Sequence, residues 1–66
     1  MDMENYFNVV NQQRLKNPRW REGQLLYNTF YMLNPGMGTW ITGKDIDPFY
    51  DDSKIESFLE FISKIP

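Results

Sequence analysis

The stretch T39-W-I-T-G-K-D-I-D-P-F-Y-D-D-S53 carries three aromatics, four aspartates and a proline, and it has neither helical nor strand periodicity. Both flanks read as amphipathic helix, so the chain divides into helices around one long irregular connection. The periodicity predicts an all-α fold, a single small domain over residues 1–66. Three helices are expected at about 2–16, 18–33 and 53–65, with a 34–52 loop containing one short helical turn.

Downstream of the stretch, Ile55, Phe58, Leu59, Ile62 and Ile65 recur at helical spacing. Ser53 with Glu56 has the pattern of a capping box, and Asp51 and Asp52 add negative charge at that helix N-terminus. Phe61 falls off the apolar stripe. Upstream, Trp20, Leu26, Tyr27, Phe30, Tyr31 and Leu33 cover more than half the circumference of the second helix, which makes it the central one. Gly23 inside it costs roughly 1 kcal/mol relative to Ala, which reads either as a close helix crossing there or as a tolerated flaw. Asn17-Pro18 is expected to open this helix, with Asn as cap and Pro at the first helical position. Asn34-Pro35 repeats the device for a turn reaching about Ile41, closed by a left-handed Gly43. In the first helix Met3, Tyr6, Phe7 and Val10 form the apolar face, with Asp2 and Glu4 in the first turn and Arg14 and Lys16 in the last.

A chain this short buries only about 60% of its unfolded surface. Here there is no Cys and no His, which excludes disulfides and the common zinc sites. Aromatic residues, 17% of the chain, are the means of building a core. Surplus rings are accommodated by a homodimer or a partner interface. Trp40 and Phe49 are expected to fold back onto the central helix and complete the core, whereas Tyr50 and Phe61 read either as edges of that core or as contact residues.

The net charge of −2 is too mild to indicate nucleic acid or a charged membrane, but its distribution is uneven. Arg14, Lys16, Arg19 and Arg21 crowd one segment, and Asp45, Asp47, Asp51 and Asp52 crowd the connection. No apolar run approaches the ~20 residues of a membrane span. No basic-then-apolar leader is visible at the N-terminus, so a cytosolic, soluble protein is the expectation.

The aspartates invite a calcium reading, since twelve positions counted from Asp45 end on Glu56. Positions five and six of that loop are Phe49 and Tyr50, where an acidic ligand and a glycine are required. No metal and no cofactor are therefore expected. The basic segment, with Trp20 as a stacking ring, suggests nucleic-acid or nucleotide binding as an alternative. Catalysis without His or Cys would need Ser or Thr with Lys, or paired carboxylates, and no such set stands at a usable spacing. A non-enzyme is the expectation.

Two motifs carry a resemblance. Asn17-Pro18-Arg19-Trp20-Arg21-Glu22-Gly23-Gln24, followed by Thr42 through Asp52 with its Asp47-Pro48-Phe49-Tyr50-Asp51-Asp52 core, is similar to a family of very small open reading frames in tailed bacteriophages. The likeness spans roughly residues 17–62 and brings no residue roles with it. It implies a phage accessory protein in the cytoplasm of a bacterial host, binding a host or phage protein stoichiometrically. Inhibitors of bacterial defence, anti-CRISPR proteins among them, belong to that class. The acidic connection, Asp45, Asp47, Tyr50, Asp51 and Asp52, would be the partner-binding surface. A self-assembling structural protein of the particle is a further alternative.

Overall fold

In a computed structural model covering residues 1–66, four helices and no strands form the chain. They are α1 (Met3–Lys16), α2 (Glu22–Leu33), α3 (Pro35–Ile41) and α4 (Ile55–Ser63), the last entered through a 3-10 turn at Asp52–Lys54. The expected all-α architecture is observed, and its short helical turn is α3.

α2 is central because six of its twelve residues are buried: Gly23, Leu25, Leu26, Tyr27, Thr29 and Phe30. Phe30 is fully buried and meets Tyr6 of α1 and Phe58 of α4 edge-to-face, at ring distances of 6.5 and 5.8 Å. Val10, Leu25, Leu26, Ile41 and Ile62 close the core around these three rings. Tyr6 brings a hydroxyl inside, and it donates to the Leu26 carbonyl at 2.6 Å. The hydroxyl of Thr29 is buried without a partner.

α1 is capped by Asp2, whose carboxylate accepts the Asn5 N–H at 3.1 Å, so Asp2 precedes the helix rather than forming part of its first turn. α3 is capped by Asn34 over the Met37 N–H, with Pro35 at the first position, as Asn-Pro chemistry predicts. Gly43, with φ of 79°, ends that segment in the left-handed region.

Several expectations are corrected. α2 begins at Glu22, not Pro18. Asn17 turns back onto α1, its side-chain amide donating to the Gln13 carbonyl at 3.0 Å, and residues 17–20 form a turn. Ser53 is not the cap of the last helix. Asp51 instead caps the 3-10 turn that leads into that helix, accepting both the Ser53 N–H at 2.9 Å and its hydroxyl at 2.6 Å. The Ser53 hydroxyl is engaged as a donor to Asp51, and α4 follows the turn with no side-chain cap of its own. α4 ends at Ser63, two residues short of Ile65. Gly23 does permit a close approach, but the group that approaches is loop backbone, the Pro48 carbonyl, and not another helix. Trp40 does not complete the core: it stays half-exposed, at 50%. Its ring lies against Phe61 instead, stacked at 5.6 Å and 11° between planes. Tyr31 and Leu33, at the far end of α2, are also exposed.

Candidate functional site

The connection after α3 is irregular and tightly bonded. Asp47 accepts the Gly43 N–H through one carboxylate oxygen at 2.8 Å and the Phe49 N–H through the other at 2.9 Å. This is the Asx-turn use of an aspartate, which fixes backbone that has no ladder of its own. Pro48 is buried, and its carbonyl rests over Gly23. Phe49 packs edge-to-face on Tyr27 at 5.6 Å, as expected for a ring folded back onto the central helix.

Asp52 closes the loop onto the start of α2. One of its oxygens accepts the Gly23 N–H at 3.0 Å and the Arg21 guanidinium at 2.5 Å. A second guanidinium nitrogen of Arg21 donates to the Phe49 carbonyl. The N-terminus of α2, which has no side-chain cap of its own, is thus satisfied from the loop.

These bonds sort the candidate residues. Asp47, Asp51 and Asp52 are engaged within the molecule, whereas Asp45 is exposed and makes no side-chain hydrogen bond or ion pair. Tyr50 is 87% exposed at the crest of the bonded loop, its ring edge-to-face on Phe49 at 4.6 Å. The two hydrogen bonds from Ser53, the hydroxyl's first and the amide's second, hold the Asp51 carboxyl below the ordinary aspartate range.

The basic segment is sorted in the same way. Arg14 forms a two-pronged pair with Glu22, at 2.5 and 3.0 Å, and Arg21 serves the loop. The hydrogen bond from Arg14 lowers the Glu22 carboxyl, and its return raises the Arg14 guanidinium. Lys16 and Arg19 remain exposed and unpaired, and Trp20 is partly buried against the core. Two of the four basic residues are therefore already engaged within the molecule.

One groove marks the surface, about 270 Å³ and open to solvent, lined by Trp40, Lys44, Asp45, Ile46 and Phe61. Its floor is the Trp40–Phe61 stack, and the Lys44 ammonium sits over the Trp40 ring at 4.8 Å. Sequence reasoning missed Lys44, Ile46 and the pairing of Trp40 with Phe61, because nothing local links α3 to the off-stripe face of α4. No three acidic side chains gather in a way that could hold a metal ion. No helix is long and apolar enough to cross a membrane.

Compared with protein-family models, with curated proteins and with solved structures, the chain matches none.

Proposed function

We propose that this protein is a non-enzymatic binding module that engages a protein partner stoichiometrically through Tyr50 and Asp45 of the connection after α3. The observation that carries this reading is the 87% exposed Tyr50 on a loop whose neighbouring backbone is held by Asp47, Asp51, Asp52 and Arg21. A rigidly presented tyrosine loses little freedom on docking, and tyrosine is enriched among residues that dominate interface energies. Interfaces of about 800 Å² per partner are within reach of a domain of this size. The free carboxylate of Asp45 favours a partner with a basic surface. The resemblance to small phage reading frames supplies the setting: a host or phage protein as target, with inhibition of a bacterial defence system as one form of the activity.

Nucleic-acid binding through residues 14–21 has less support, since Arg14 and Arg21 are already paired. Self-assembly draws only on the exposed rings.

The test is capture from a bacterial lysate with tagged protein, beside Tyr50→Ala. One protein retained in near-equal amount by the native chain and lost with the variant, whose melting temperature is unchanged, supports the reading. Recovery of the chain alone as a defined oligomer overturns it in favour of self-assembly. Retention of nucleic acid that falls away steeply with salt overturns it in favour of the basic segment.

A further inference from the structure

The groove between α3, the start of the loop and α4 has a composition that selects its occupant. The floor is aromatic, Trp40 stacked on Phe61, with Ile46 beside it. Its rim holds Asp45, the one aspartate of the connection with no partner inside the molecule. Over the floor lies a cation that the chain itself supplies, Lys44, 4.8 Å from the Trp40 ring centre. An aromatic face beside an unpaired carboxylate attracts positive charge on two counts, through the ring quadrupole and through the ion pair.

We infer that this groove receives an arginine side chain of the partner protein, with Lys44 as the intramolecular group it displaces. A guanidinium is the better occupant for three physical reasons. It is planar and stacks on indole, it presents a fork of donors to a carboxylate, and it is more weakly hydrated than an ammonium. Lys44 has only a point charge to offer the ring, and it makes no ion pair with Asp45. Ile46 and the exposed edge of Trp40 would cover the aliphatic stem of the incoming residue. The inference rests on the reading that the protein binds a basic protein surface, and it names the chemistry recognised there.

The experiment needs no knowledge of the partner. Isotope-labelled protein is titrated with the blocked peptide Gly-Leu-Arg-Leu-Gly and with the same peptide carrying citrulline, which keeps the shape of arginine and removes its charge. The expected result is tighter binding of the arginine peptide by about fivefold, with amide shifts confined to residues 40–46 and the neighbourhood of Phe61. Asp45→Asn should narrow the difference between the peptides, leaving the part that the Trp40 ring supplies. Lys44→Met should strengthen arginine binding, because the internal competitor is gone. Both substitutions lie at exposed positions, and an unchanged circular-dichroism melt confirms that the fold is kept. Equal binding of the two peptides, no binding, or weaker binding by Lys44→Met overturns the proposal. None of these outcomes touches the capture experiment, which turns on Tyr50, so the two readings fail separately.

Discussion

Gly23 sits in the first turn of α2, where alanine would ordinarily stabilise a helix by roughly 1 kcal/mol. A Cβ at this position would collide with the Pro48 carbonyl oxygen and lie 2.6 Å from an Asp52 carboxylate oxygen. The carbonyl is backbone in a bonded loop, so it moves only if the loop moves. Gly23→Ala is therefore expected to destabilise the protein by about 1–3 kcal/mol, the usual range for overpacking. At about 4–8 °C per kcal/mol in a domain of this size, the loss is easily read in a thermal melt. Gly36→Ala is the matched control, since its Cβ would find only the Asn34 side-chain oxygen, 3.9 Å away. A Gly23→Ala protein as stable as the native one would mean that the loop does not rest on α2.

Among the elements, the connection from α3 to α4 works as a clasp for α2. Asp52 supplies the acceptor that the start of α2 lacks, and Arg21 binds the same carboxylate and the Phe49 carbonyl. Asp52→Ala should cost about 1–2 kcal/mol, mostly as a lost cap with a small contribution from the exposed ion pair. Asp45→Ala should lie within about 0.5 kcal/mol of the native chain, as for an ordinary surface position. Denaturant unfolding of both variants separates aspartates that hold the fold from the one left free for a partner. This division explains what was legible beforehand. Apolar spacing in 55–62 and the Asn34-Pro35 cap are local signals, and α4 and α3 follow from them directly. The start of α2 depends on a residue 29 positions away, which no local pattern encodes. The same limit applies to the site. Tyr50 is legible as a ring in a polar loop, whereas Trp40 reads as core because hydrophobicity alone does not distinguish a buried ring from one stacked at the surface against Phe61.

Across the whole molecule carboxylates act as hydrogen-bond acceptors: Asp2, Asp47 and Asp51 fix backbone close to themselves, Glu22 joins α2 to α1, and Asp52 joins the loop to α2. Asp51 and Glu22 are both depressed in the folded protein, by the Ser53 hydroxyl and by Arg14 respectively. The unfolded chain consequently binds protons more readily in acid, and stability present above the ordinary carboxylate range is lost as pH falls through the folded values. Burial pushes the Tyr6 phenol up, with the Glu22 charge adding to it. Its contribution is present below the free phenol value and is lost above about pH 10. Thermal melts should therefore be level between about pH 5 and 9, falling below about pH 4 and again in strong alkali. A melting temperature that holds constant down to pH 2 would show that these carboxylates contribute nothing to folding.

The clasp between Asp52 and the first turn of α2 also sets an order of events in time. Helical turns form from near neighbours, but Asp52 meets Gly23 only after the intervening chain has been gathered and its closure entropy overcome. The N-terminal turn of α2 should then be among the last parts of the molecule to become rigid and among the first to open, which amide hydrogen exchange at Gly23 would read. Loss of the clasp should act on the rate of unfolding far more than on the rate of folding. A partner that grips the loop from outside would slow that opening, and so would lengthen the lifetime of the folded state.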